Sequence, residues 1–227
     1  ISIKGGVFRL LSGGKEVAAI DERFLDVVIV KAAPKVARTF YMAKYDGDVA
    51  AAPDCWSNDG DKPDAKSKNI QSDTCASCPQ NVAGSGGGTR RACAFQRRIA
   101  VLLENDPSGE VYQMNLSSTT IFGKGEGNVH PFESYRTYLA ENGESIDRVV
   151  TNISFDPNAD TMELVFTPLR NITRAEEQQV IAAQARPETK AYTQLTVSQS
   201  DKALPTPAPT KAPVITRSDE PDEEDIE

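Results

Sequence analysis

Short runs rich in Val, Ile, Phe and Tyr open the chain: ISIKGGVFRLL at 1–11, FLDVVIVKAA at 24–33 and VARTFYMAKY at 36–45. Gly13–Gly14, Pro34 and the acidic DGD at 46–48 break them. β-Branched and aromatic residues bounded by turn formers predict three strands. From Asp46 to Thr89 the pattern dissolves into Gly, Pro, Ser, Asn, Asp and Lys. A structureless loop much beyond ~15 residues needs a reason in a compact domain.

Regular patterning then resumes. RRIAVLLEN and VYQMNLSS flank DPSGE, a strong turn, and predict a hairpin over 97–118. Phe132, Tyr135, Tyr138 and Leu139 recur at helical spacing between Pro131 and Gly143, a start and a stop signal. VVTNISFD and MELVFTPL around PNAD give a second hairpin. Thr173 and Glu176 have the spacing of a capping box, opening a last helix that Pro187 should end.

The expected fold is mainly β, with about seven strands, one or two helices and a large insertion. An OB-type β-barrel tolerates such insertions and is the preferred architecture; a generic β-sandwich is the alternative. The expected domain covers residues 1–190, with the insertion at 47–96. Beyond it, at 191–227, a linker with Pro205, Pro207, Pro209, Pro213 and Pro221 leads to an acidic end. It holds too little apolar surface to offset the entropy of ordering, so a disordered tail is expected.

The insertion explains itself through cysteine. All four cysteines of the chain fall in or near it, at Cys55, Cys75, Cys78 and Cys93. Two thiolates separated by two residues can bind one tetrahedral metal from a single turn, and two flanking sulfurs complete a closed site. A structural Zn2+ on these four residues is therefore expected, replacing the core that so polar a loop lacks. Two disulfides, free thiols and a redox pair are the competing readings. Four thiolates leave no open position for water, so the metal holds a loop and performs no reaction. His130, the one histidine, is expected in a surface or capping role.

Charge changes the picture in one respect. The chain carries 33 acidic and 25 basic residues, a net charge of -8. Residues 201–227 alone hold eight acids and three bases, leaving a net of -3 for the rest. A near-neutral body can carry a basic groove, and RRACAFQRR places Arg90, Arg91, Arg97 and Arg98 close together. Arg38, Tyr41, Lys44 and Tyr45 interleave cations with aromatics in one strand, and Trp56 and Phe95 add to them. Stacking faces beside cations suit unpaired bases. Alternation puts Tyr41 and Tyr45 on one face and sends Phe40 and Met42 to the core.

Catalysis finds little support. A single histidine, with no nucleophile pattern beside it, argues against triads. GSGGG and FGKGEG lack the GK[ST] of a phosphate-binding loop. No enzyme is expected. The opening residues lack the layout of a signal peptide, and no apolar run nears the ~20 residues of a membrane span, so a soluble protein is expected.

With PDCWSNDG, QSDTCASCPQN and RRACAFQRRIAVLLE in view, the chain resembles the single-stranded-DNA-binding proteins of tailed bacteriophages. The resemblance spans most of residues 1–190, and its specific part is the cysteine region. It implies an OB-fold with a zinc-holding insertion, sequence-tolerant coating of DNA during replication or recombination in the cytoplasm of an infected bacterium, and self-association along DNA. It also implies an acidic end that docks replication or recombination proteins, here Asp219, Glu220, Asp222, Glu223, Glu224, Asp225 and Ile226. The chain departs from the best-known zinc-containing relative, which uses three cysteines and a histidine, and it ends on Asp225-Ile226-Glu227 instead of an aromatic. The competing class is a zinc-stabilised interaction protein that binds a polymerase or another replication or transcription component without touching DNA.

Overall fold

The computed structural model describes residues 1–43, 52–106, 108–159 and 161–195. Lys44, Tyr45 and the acidic end with Asp219 to Ile226 lie outside the described residues. Among the described residues the fold is mainly β, with antiparallel sheets built from ten strands.

The N-terminal run is a meander. ISIKGGVFRLL divides into β1 (Ser2–Lys4) and β2 (Val7–Ser12), because Gly5 and Gly6 take φ of 66° and 72° and turn the chain back. That conformation is open to glycine at little cost. Strand β3 (Lys15–Ile20), which the sequence pattern does not announce, follows Gly13–Gly14 and completes a three-stranded sheet.

The larger sheet is organised around β7 (Cys93–Leu103). One edge of β7 pairs with two strands in succession: β4 (Phe24–Ala32) along its second half and β5 (Ala37–Phe40) along its first. Its other edge pairs with β8 (Val111–Ser117), the expected hairpin partner. The sheet continues from β4 to β9 (Val149–Phe155) and β10 (Leu164–Asn171), the second hairpin. From β5 it continues to β6 (Cys55–Ser57). Arg97 seals the break between β4 and β5: its Nε donates to Ala33 O at 2.9 Å and its guanidinium pairs with Glu133.

Two apolar layers cover this sheet. On one face Leu25, Val27, Ile29, Ile99, Val101, Met114 and Ile153 meet Phe8 and Leu10 of the small sheet and Phe132, Tyr135 and Leu139 of α2 (Phe132–Glu141). Between β8 and α2 lies a single helical turn, α1 (Ser118–Ile121). On the other face Val28, Val30, Ala100, Leu102 and Val150 meet Val180 and Ala183 of α3 (Arg174–Ala185). The capping box at Thr173 and Glu176 is formed. Pro187 ends α3 and also starts α4 (Pro187–Tyr192), so packed chain continues past residue 190 to Leu195, which is buried.

Met42 is exposed, against the expectation that it faces the core, because β5 ends at Phe40 and alternation ends with it. His130 is not a surface residue: it is buried, its ring tilted against Tyr138 with centres 4.5 Å apart, and its Nδ1 shares a hydrogen bond of 3.1 Å with Ser134 Oγ in the first turn of α2. No helix among the described residues is long and apolar enough to cross a membrane.

Candidate metal centre and nucleic-acid surface

Strand register positions two of the cysteines. Phe40 pairs with Cys55 on one side and with Cys93 on the other, so the two cysteines flank it on one face of the sheet. The second pair comes from a loop that folds over this face. Thr74 and Ser77 close its first turn through their hydroxyls, 2.6 Å apart, and a single 3-10 turn at Pro79–Asn81 closes the second. The backbone N–H of Cys75 donates to Asp61 O at 2.9 Å, and Asn81 Nδ2 donates to Cys75 O at 2.9 Å.

All four cysteines are buried and none is in a disulfide. They line one cavity of about 10 Å³ together with Arg38, Phe40 and Ser57, room for about one water-sized sphere. Burial pushes the Cys93 thiol up to about 11 and raises that of Cys75. No histidine or carboxylate lines the cavity, so its donor set is four sulfurs. Among the described residues no group of three or more His, Cys, Asp or Glu is drawn close enough to form a ready-made metal cage. By register the backbones of Cys55 and Cys93 stand two strand spacings apart, each ~4.8 Å, whereas two sulfurs at ~2.3 Å from one zinc are at most ~4.6 Å apart. Closing on a metal requires both side chains to lean in over Phe40.

The basic and aromatic residues expected to meet nucleic acid divide between two faces. Arg38, Phe95 and Arg97 lie on the cysteine face. Arg38 is buried: its guanidinium donates to Asn81 Oδ1, and its carbon sits 4.0 Å from the Phe95 ring centre. Phe95 packs edge-on against the half-exposed Phe122 at 5.4 Å. Arg97 is 3% exposed and fully occupied by the β4–β5 break and Glu133; burial lowers its pKa to about 10, leaving it charged at neutral pH.

Tyr41, Arg98 and Trp56 lie on the opposite face. Tyr41 is 48% exposed and Arg98 is close enough for its charge to pull the phenol pKa down, while burial raises it more. Arg98 Nη1 donates to Gln194 O at 2.8 Å. Trp56 is buried in a small cluster with Ala37 and Leu195, so its ring is covered. Arg90 and Arg91 stand exposed just before β7, where Arg91 donates to Asn81 O in the cysteine loop.

The same face carries side chains that sequence reasoning missed. Gln96 Nε2 donates to Thr39 Oγ1 at 3.1 Å, and Asn115 Nδ2 donates to Gln96 Oε1 at 2.7 Å. These bonds form a polar row across β5, β7 and β8, ending in the exposed Asn115. The signal was present in the alternation of CAFQRRIA, but which strands lie beside it is a matter of pairing. No protein-family model, no curated protein and no solved structure matches the chain.

Proposed function

We propose that this protein binds single-stranded DNA without strong base preference, on the part of the sheet face turned away from the cysteines that α3, α4 and Leu195 leave uncovered, around Gln96 and Asn115. The observation that carries this reading is the polar Thr39–Gln96–Asn115 row, which ends in the exposed Asn115, with the half-exposed Tyr41 just past the end of β5. An aromatic face offers stacking to any base, worth about 1–3 kcal/mol per base. Arg98 supplies charge for phosphate, and the amides of Gln96 and Asn115 can donate or accept. Arg90 and Arg91, exposed beside the cysteine loop, offer further cations to phosphate from the other side of the sheet. Arg38, Arg97 and Trp56 support this surface from within.

The finer architecture belongs to the same proposal. The β4–β5, β7 and β8 strands form one wall of an OB-type barrel, and the small sheet laid across them forms the opposite wall. The insertion folds around one structural zinc held by Cys55, Cys75, Cys78 and Cys93; that the four thiols share one cavity with no histidine or carboxylate in its lining supports that assignment. The metal draws two strand ends and the loop together and leaves no position for a reacting water. In this reading the protein coats DNA in an infected bacterium and docks replication or recombination proteins through its acidic end.

Anisotropy of a labelled oligo(dT), titrated with protein at several salt concentrations, tests the proposal. Saturable binding that weakens as salt rises, with similar affinity for mixed-sequence strands, is expected. A chain that binds no single strand at low salt, yet holds stoichiometric metal, is an interaction module instead.

A further inference from the structure

At the end of β7 remote from the cysteines, the β7–β8 turn, the start of β4 and the end of β10 line an open cleft of about 410 Å³. Ile20, Leu25 and Leu103 are its buried apolar lining, and Leu169 adds a partly exposed apolar side chain. The volume is within the range of ligand sites, roughly 300–1,000 Å³.

Charge decides what can enter. Glu22, Asp26 and Glu104 line the cleft, against one cation, Arg170. That cation is already shared: it bonds Glu104 at 2.6 Å and Glu176 at 2.7 Å. Arg23, next to the cleft, directs its guanidinium at the Phe155 ring, 5.3 Å from its centre. Asp26 accepts one hydrogen bond, from Asn152 at 2.6 Å, and among the described residues neither Glu22 nor Asp26 makes an ion pair. A neutral apolar ligand would cover these carboxylates without compensating them, at a cost, and an anion or nucleic-acid phosphate would be repelled. A cation on an apolar stem satisfies both parts of the lining.

We infer that this cleft is a binding site for an alkylammonium or guanidinium group on an aliphatic stem. Two sources share that chemistry: a free linear polyamine, and a lysine or arginine side chain flanked by apolar residues in a partner peptide. The site is separate from the proposed DNA surface and does not depend on it.

The test uses the full chain without DNA. Spermidine and a blocked Leu-Lys-Leu peptide are titrated by calorimetry, with a Leu-Glu-Leu peptide as control, and backbone amide shifts locate the binding. Shifts at Phe24, Leu103 and Leu169 are expected with a cationic probe and not with the acidic one. The double variant Glu22→Gln, Asp26→Asn should weaken that probe about tenfold, since it removes two modest ionic interactions. Leu169→Ala should also weaken it while leaving the carboxylates in place, which guards against misfolding of the double variant. Saturation by spermidine identifies the free amine as the source; response to the lysine peptide alone identifies a protein side chain. Shifts absent from this cleft with both cationic probes, equal binding of the acidic peptide, or affinity unchanged in both variants would overturn the inference.

Discussion

Arg38 holds its guanidinium carbon 4.0 Å from the centre of the Phe95 ring on the neighbouring strand, and the same guanidinium donates to Asn81 in the cysteine loop. Asn81 in turn donates to the carbonyl of Cys75. One arginine therefore fastens the loop to the sheet through an amide that also shapes the paired-cysteine turn. Arg38→Ala removes a charge-assisted hydrogen bond and a cation–π contact, and should cost about 2–3 kcal/mol. Urea unfolding measures it, and Arg38→Lys should recover only part, because an ammonium cannot stack on the ring as a flat guanidinium does.

Arg97 should behave as a structural residue. Arg97→Met leaves the carbonyl of Ala33 unpaired and removes one of the two cations on the partly exposed Glu133, which keeps Arg136, a loss of about 2–3 kcal/mol. Thermal unfolding reads this directly. At a temperature where the variant is folded, its affinity for oligo(dT) should match that of the parent.

Tyr41→Ala should weaken oligo(dT) binding by about 1–3 kcal/mol with little change in salt dependence. Paired Arg90→Ala and Arg91→Ala should instead flatten the salt slope by about 0.7 for each phosphate left without its cation. The two effects separate in one set of anisotropy titrations. A change in base preference on removing the arginines would contradict the assignment to phosphate.

Reduced protein should bind one zinc per chain, and Cys78→Ser should lose it. Metal analysis gives the stoichiometry, and limited proteolysis should then cut between residues 53 and 92 first, leaving the two-layer core protected. Well under one equivalent of metal on reduced protein would exclude the four-sulfur site.

Glu176 is held at about 2, below the usual carboxylate range, first by its hydrogen bonds from Arg170 and then by the backbone of Thr173. A carboxylate with a depressed folded pKa stabilises fully above its unfolded value, here 4.5. Its contribution fades as pH falls from there through about 2. Glu176→Gln keeps a side chain able to complete the capping box but removes the charge paired with Arg170, and should cost about 0.5–1 kcal/mol at pH 7. The gap in melting temperature between variant and parent should narrow between pH 4.5 and pH 2.5.

Local signals in the sequence translated well where one stretch of chain decides the outcome. Thr173 and Glu176 fix a helix start by themselves, DPSGE fixes a hairpin, and both are found. Gly5–Gly6 is equally local, yet an apolar pattern on both sides disguised the turn as a continuous strand. Residues whose setting depends on distant chain were harder to read. The alternation of CAFQRRIA separates Arg97 from Arg98, but only pairing with β4 and β5 decides that Arg97 is buried at a strand break and Arg98 lies beside Tyr41. Trp56 sits in a polar loop by sequence, and Leu195, well over a hundred positions later, covers it.

That covering of Trp56 by Leu195 has an experimental consequence. Trp56 is the chain's one tryptophan, and Leu195 packs on it where the described chain gives way to the Pro-rich arm. Its emission is thus a built-in gauge of whether residues 193–195 are seated. A red shift on adding a ligand would report release of that strap, even for a ligand that never touches the indole.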